Sequence, residues 1–138
     1  MGGYLLDTNV VSELRKGQRC NPGVAAWFAG VDREEVYMSV ITVGELRKGI
    51  ESIRRRDTPA ADSLETWFQG LLTAHESRIL LIDRGVAETW GRFNVPDPIP
   101  VLDGLLAATA QVHGLTLVSR NLKDVARTGV DCFNPFDT

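Results

Sequence analysis

The stretch that decides the fold is Tyr4-Leu5-Leu6-Asp7-Thr8-Asn9. Its apolar start predicts a short buried strand that ends at Asp7, and Val10, Val11 and Leu14 form the apolar side of a helix that follows directly. A strand that feeds a helix is typical of a parallel α/β sheet. In such sheets the strand ends that lead into helices lie on one edge, so residues distant in sequence meet there.

The same alternation continues along the chain. It predicts a mostly parallel sheet of four or five strands, and we expect one domain over residues 1–138 because no repeat or long linker interrupts the pattern. The further strands are predicted at residues 36–40, 79–82, 115–118 and 130–133, and the further helices at residues 24–28, 42–53, 64–72, 86–93 and 101–113, with a polar turn and short helix at 119–127.

Composition indicates an ordinary globular protein. Of the 138 residues, 43% are hydrophobic and 24% are charged, with a formal net charge of −3. We find neither a basic leader nor an apolar run of about 18 residues, so we expect a cytoplasmic protein without a membrane span. Cys20 and Cys132 lack CxxC spacing and are expected to be free thiols.

One basic cluster lies in the predicted helix at residues 42–53 and just beyond it. Arg47 and Lys48 are followed by the run at residues 54–56, which is arginine throughout. Such a cluster can meet phosphates. An ordinary solvated helix face explains the same pattern equally well, and the sequence leaves both interpretations open.

Four acids, Asp7, Glu45, Asp103 and Asp124, each lie where a strand is predicted to end or a helix to begin. Carboxylates that come close together repel one another unless protons or cations compensate. Hard divalent cations such as Mg2+ and Mn2+ accept oxygen ligands of this kind. The placement therefore predicts one shared metal site.

Each acid also has a purely structural explanation. Asp7 is a good helix N-cap, and Glu45 stands three residues after Thr42, which is the spacing of a capping box. Asp103 lies in the first turn of a helix, and Asp124 follows an asparagine at the capping spacing. Caps occur at both edges of a sheet, whereas Asp7 and the segment 119–124 both follow strands, and this common edge favours the metal site.

Four segments in this order resemble the successive motifs of PIN-domain ribonucleases. The segments are residues 5–9 (LLDTN), 39–46 (SVITVGEL), 100–110 (PVLDGLLAATA) and 117–124 (LVSRNLKD). More narrowly, the chain is similar to the VapC and FitB group of toxins from bacterial toxin-antitoxin pairs, over essentially its full length. No single motif is decisive, but the ordered set is highly specific.

The resemblance implies a three-layer α/β/α fold and an endoribonuclease that hydrolyses RNA phosphodiester bonds with Mg2+, or Mn2+ in its place. It implies Asp7, Glu45 and Asp103 as catalytic and metal-binding acids. For the fourth position, family members vary between the positions of Asn121 and Asp124, and here Asp124 is the acid, so we expect it to be a supporting ligand.

The resemblance also implies supporting residues and partners. Asn9 is expected to hold Asp7, Thr42 to hold Glu45, and Ser119 and Asn121 to orient waters or a substrate phosphate. Apart from the resemblance, the charges of Arg120 and Lys123 beside this site make them candidates to attract the RNA backbone, although exposed basic residues are usually only solvated. A cognate antitoxin and a second copy of the chain are the implied protein partners, and residues 67–72 offer apolar surface for a homodimer, although their spacing favours a core role.

Two other functions remain open at the level of sequence. In a phosphotransfer enzyme, Asp7 would be the nucleophile, but such enzymes usually carry a second acid two residues later, where this chain has Asn9. A non-catalytic protein-interaction module would use the acids only as caps. That module predicts no binding of Mg2+ or Mn2+.

Overall fold

Strand-to-helix turns build the whole structure, which we describe from a computed structural model over residues 2–137. The strands are β1 (Tyr4–Leu6), β2 (Val36–Ser39), β3 (Ile79–Leu80), β4 (Thr116–Val118) and β5 (Cys132–Phe133). The helices are α1 (Thr8–Leu14), α2 (Pro22–Ala29), α3 (Val40–Arg54), α4 (Thr58–Ala74), α5 (Arg84–Phe93) and α6 (Val101–His113).

The sheet within residues 2–137 has the strand order β3-β2-β1-β4-β5, and every pair in it is parallel. Strand β1 lies in the centre, where Leu5 is opposite Tyr37 of β2 and Leu117 of β4. The chain moves outward from β1 in one direction through β2 and β3, then returns to β4 on the other side of β1. The carboxyl ends of β1 and β4 therefore flank a topological switch point, the usual ligand position in such sheets.

Apolar residues cover both faces of the sheet. Leu5 and Leu117 pack with Leu106 of α6 in one cluster, whereas their neighbours Leu6 and Val118 pack in a second cluster with α1 to α4. This alternation follows from the two-residue period of a strand. The result is the predicted three-layer α/β/α arrangement, with a five-stranded sheet between two helical layers.

The second cluster also settles the role of the apolar stripe on α4. Phe68 is buried, and Trp67, Leu71 and Leu72 pack against the same cluster. The core interpretation of residues 67–72 is confirmed.

Local signals explain most helix boundaries. The side chains of Asn21, Ser39, Asp57 and Asp83 accept backbone N–H groups at the starts of α2, α3, α4 and α5. Gly114 ends α6 with φ of 66°, a left-handed conformation that glycine adopts without a steric cost.

Three boundary predictions were wrong. Helix α3 begins at Val40 under a Ser39 cap, so Glu45 is too far inside the helix to form a capping box with Thr42. Helix α4 begins at Thr58 rather than near residue 64, and Pro59 lies in its first turn, where its missing N–H has no intrahelical partner to lose. Residues 119–125 form no α-helix and are followed only by the short 3-10 helix Ala126–Thr128, which has no side-chain cap, so Asp124 is not a capping residue.

No helix in the part of the chain described here is both long and apolar enough to cross a bilayer. Cys20 and Cys132 are free thiols, as expected.

Candidate active site

Asp7 lies at the switch point and ties β1 to β4. Its backbone N–H donates to the carbonyl of Val118 at 2.9 Å, and its carboxylate accepts the N–H of Thr8 at 2.6 Å. Asp7 is therefore the N-cap of α1, as one interpretation predicted. Capping uses only Oδ1, and the other oxygen, Oδ2, accepts hydrogen bonds from two other side chains.

Ser119 and Asn9 hold Oδ2 of Asp7. The Ser119 hydroxyl donates to it at 2.7 Å, and the Asn9 amide nitrogen lies 3.3 Å from both Oδ2 and the Ser119 hydroxyl oxygen. The Ser119 side chain is fully buried and also accepts the backbone N–H of Asn121 at 3.1 Å. Asn121 thus takes part through its backbone, and its side chain is exposed.

Glu45 reaches the same turn through Thr8. The Thr8 hydroxyl donates to Oε1 of Glu45 and lies 3.1 Å from the buried hydroxyl of Thr42. Thr42 therefore acts on Glu45 through Thr8 rather than by direct contact. Sequence reasoning missed Thr8, although its position between Asp7 and Asn9 in the first turn of a helix was a usable signal.

Asp103 lies in the first turn of α6, and close packing places that helix. Gly104 lies against Trp90 of α5, so closely that a Cβ at this position would be 3.0 Å from the Trp90 ring. The indole N–H of Trp90 is buried without a hydrogen-bond acceptor among residues 2–137. A small residue after Asp103 is thus what allows α6 to sit against α5.

The electrostatics of Asp103 connect all four acids. Burial raises the pKa of Asp103 above its ordinary value, and the negative charges of Asp7, Asp124 and Glu45 raise it further. Asp124 is exposed and forms no hydrogen bond with the other three acids within residues 2–137. Its contribution to the group is therefore its charge.

The acids share an electrostatic environment without forming a closed cage. Within residues 2–137, no three acidic, histidine or cysteine side chains are arranged as ready-made metal ligands. Three carboxylate oxygens are nevertheless free to bind a cation. Oε2 of Glu45 and both carboxylate oxygens of Asp103 accept no hydrogen bond from residues 2–137. Carboxylate oxygens are the donors that hard divalent cations prefer, so the residues fit such a cation chemically.

Two arginines of the basic cluster, Arg47 and Arg54 of α3, are paired with acids. Arg47 contacts Glu65 of α4 at 2.6 Å and Glu51 at 2.9 Å, and Arg54 contacts Asp62 at 2.8 Å and Glu65 at 3.2 Å. We call these five residues the α3–α4 clasp. Two members of the cluster are thus occupied in joining two helices, which excludes the cluster as a fully free phosphate patch.

The fold and the site together define a parallel α/β domain with an acidic site at the carboxyl edge of its sheet. A family model described as PIN domain matches residues 4–130, and the chain belongs to that family.

The relatives agree over nearly the full length. The chain is 35% identical over 139 residues to the protein named Toxin FitB from Neisseria gonorrhoeae, covering 96% of this chain and 97% of the relative. It is 33% identical over 143 residues to VapC ribonuclease Y4jK from Sinorhizobium fredii, with 96% and 97% covered.

Solved structures show the same similarity. The structure of FitAcB from Neisseria gonorrhoeae matches with a TM-score of 0.89 at 35% identity, over 98% of this chain and 99% of that chain. The structure of FitAB bound to an IR36 DNA fragment matches with a TM-score of 0.85 at 33% identity, over 96% and 95%.

Proposed function

We propose that this protein is a Mg2+- or Mn2+-dependent endoribonuclease and the toxin of a toxin-antitoxin pair. The observation that carries the proposal is the position of Asp7 at the switch point, where its carboxylate accepts the Ser119 hydroxyl and the backbone N–H of Thr8. The side chain of the same Thr8 donates to Glu45. Relatives named as a toxin and as a ribonuclease support the same function.

The hydrogen bonds indicate a separate role for each residue of the site. Ser119 and Asn9 fix the orientation of Asp7, and Thr8 fixes one oxygen of Glu45 and leaves the other without a hydrogen bond from residues 2–137. Asp7, Glu45 and Asp103 would hold a divalent cation, which would lower the pKa of a bound water and stabilise negative charge on the phosphate. Asp124 is exposed and adds negative charge to the group, as its effect on Asp103 shows.

Two protein partners belong to the proposal. A cognate antitoxin is supported by the similarity to FitB and to the FitAcB structure. A homodimer is supported by apolar side chains that stay exposed, Leu81 at 65%, Val101 at 58% and Leu102 at 43%. Light scattering of the purified chain tests the dimer, and a monomer at micromolar concentrations contradicts it.

RNA cleavage tests the enzymatic proposal. We expect the purified protein to cut RNA with Mg2+ or Mn2+, and we expect Asp7→Asn and Asp103→Asn to suppress cutting while circular dichroism stays unchanged. Asp131→Asn is the matched control, because Asp131 is exposed just before β5, at the opposite edge of the sheet. Equal cleavage by folded Asp7→Asn and wild-type protein would refute the assignment.

The same variants separate the two alternatives. A phosphotransfer enzyme needs Asp7 as a free nucleophile, whereas here both of its carboxylate oxygens accept hydrogen bonds. Trapping a phosphoaspartate analogue on Asp7 would restore that alternative. A calorimetric titration with Mn2+ tests the interaction module, which predicts no saturable binding and no difference between wild type and Asp7→Asn.

A further inference from the structure

Arg120 and Phe136 form a stacked pair, and the backbone of Arg120 directly follows Ser119, which holds Asp7. We propose that this pair binds an RNA backbone phosphate adjacent to the cleaved bond, with Arg120 supplying the charge and Phe136 holding the guanidinium in place. The inference rests on the proposed ribonuclease function and identifies how the site positions its substrate.

The backbone of Arg120 is fixed on both sides. Its N–H donates to the side-chain oxygen of Asn9 at 3.2 Å, and the same Asn9 side chain contacts Asp7 through its nitrogen. Its carbonyl accepts from the side chain of Asn134 at 3.2 Å. Arg120 also follows Ser119 directly, so its main chain has a defined position relative to the acids.

The guanidinium is held by an aromatic ring rather than by a carboxylate. It lies 4.0 Å from the centroid of the Phe136 ring. Phe136 is anchored in turn, because its N–H donates to the side chain of Asn134 at 2.9 Å and its ring packs against the α1–α4 side of the core. Asn134 therefore supports both members of the stack. A guanidinium stacked on a ring keeps its in-plane N–H donors available for a planar or tetrahedral anion.

Arg120 differs in this respect from the arginines of the α3–α4 clasp. Within residues 2–137 Arg120 forms no salt bridge, whereas Arg47 and Arg54 each contact two or more carboxylates. The acid that feels its charge is Glu13, but the oxygens of Glu13 are taken by the N–H of Asn21 at 2.7 Å and by Lys16 at 3.0 Å. Arg120 is thus an ordered cation whose charge no direct partner neutralises.

Lys123 is the natural comparison, because it lies three residues away and is also exposed. No hydrogen bond, ion pair or ring contact within residues 2–137 orients its side chain. A strongly hydrated, unoriented ammonium loses more freedom on binding phosphate than a stacked guanidinium does. Of the two cations expected to attract RNA, the structure therefore favours Arg120.

A phosphate next to the cleaved bond changes little during the reaction. The contact between Arg120 and this phosphate therefore stabilises the ground state and the transition state equally. Loss of such a contact raises KM and leaves kcat almost unchanged. Loss of an acid lowers kcat instead. The two kinds of residue are therefore distinguishable in steady-state kinetics.

The test measures binding of a short single-stranded RNA, with Mg2+ present, to an Asp103→Asn background that does not cleave it. We expect Arg120→Gln to weaken binding about tenfold at low salt and to reduce the slope of log K against log salt by about 0.7, the loss of one phosphate contact. Phe136→Leu keeps the charge, so we expect a loss of about threefold with an unchanged slope. Lys123→Gln is the matched control, and we expect it to weaken binding less than about twofold.

Two results would overturn the inference. One is equal weakening by Arg120→Gln and Lys123→Gln, which shows a diffuse charge effect, and the other is unchanged binding and KM in Arg120→Gln. Arg120→Lys keeps the positive charge, and we expect it to keep the wild-type slope of log K against log salt. That result would show that a loss of binding in Arg120→Gln comes from the lost charge and not from misfolding. Cleavage by the wild-type protein, measured in parallel, separates the two proposals. If the wild type cuts RNA and Arg120→Gln binds and cuts it equally well, only this inference is refuted. If the wild type leaves RNA intact, the ribonuclease function itself is refuted.

Discussion

Two charged regions of this protein share helix α3 and behave in opposite ways. In the α3–α4 clasp, Arg47 pairs with Glu65 and Glu51, so opposite charges compensate one another. Two residues before Arg47, Glu45 faces the edge where four acids gather with no basic residue paired to them within residues 2–137. The comparison shows two uses of charge. The charges of the clasp join two helices, whereas the unpaired acids are available to a ligand.

The pKa values of the two regions move in opposite directions. In the clasp, hydrogen bonds from Arg47 and then Gln69 lower the pKa of Glu65 to about 2. At the acidic edge, burial and then the charges of Asp7, Asp124 and Glu45 raise the pKa of Asp103. The first region therefore stabilises the fold at neutral pH and the second opposes it, which is typical of a functional site.

The largest expected difference between the regions is in catalysis. Glu45→Gln and Glu65→Gln make the same chemical change on neighbouring helices. We expect Glu45→Gln to lower kcat/KM for RNA cleavage by roughly 100-fold or more, because it removes a carboxylate from the cation site. We expect Glu65→Gln to stay within about twofold of wild type, since its charge serves the clasp. Comparable losses in both variants would mean that the two regions are not functionally distinct.

A smaller loss of activity is expected when a hydroxyl is removed. Thr8→Val deletes the hydrogen bond that orients Glu45, and residues that orient metal ligands typically contribute about 10- to 100-fold. Thr66→Val on α4 is the control, because the Thr66 hydroxyl only contacts the carbonyl of Asp62. Steady-state cleavage rates measure both, and activity of Thr8→Val equal to that of Thr66→Val would show that Glu45 needs no such support.

Stability of the metal-free protein is the next comparison. Because the folded-state pKa of Asp103 is raised, its charged form opposes folding above that pKa, and the cost disappears as pH falls through it. We expect Asp103→Asn to be more stable than wild type at pH 7 and the difference to shrink toward acidic pH. Urea unfolding with a chelator present measures this, and a less stable Asp103→Asn at pH 7 contradicts the expected repulsion.

The smallest effect is expected in the clasp, with the opposite sign. Since the folded-state pKa of Glu65 is lowered to about 2, its contribution is fully present above the ordinary carboxyl pKa and is lost as pH falls from there through about 2. We expect Glu65→Gln to be slightly less stable than wild type at pH 7 and the difference to shrink as pH falls toward 2. The clasp is partly exposed, so added salt should reduce the difference, and a difference that is insensitive to both pH and salt would rule out a charge effect.

Much of the fold was predictable because its signals are local. The strand Tyr4–Leu6 and the end of α6 at Gly114 appear where the sequence indicates them, since apolar runs and a left-handed glycine act over a few residues. The start of α3 was not predictable in the same way. Ser39 and Thr42 are both good caps, and Ser39 is used because it still pairs with Leu80 in the sheet.

The sequence by itself determined the alternation of strands and helices and the kinds of residue at each strand end. Only the tertiary structure decided which of these residues meet, such as Ser119 with Asp7 across 112 positions and Thr8 with Glu45 across 37. It also decided that Arg47 is neutralised, while Arg120 is ordered but has no acidic partner within residues 2–137. The physical reason is that hydrogen bonds and charge pairing depend on separations of a few ångströms between atoms distant along the chain, and local periodicity carries no information about those separations.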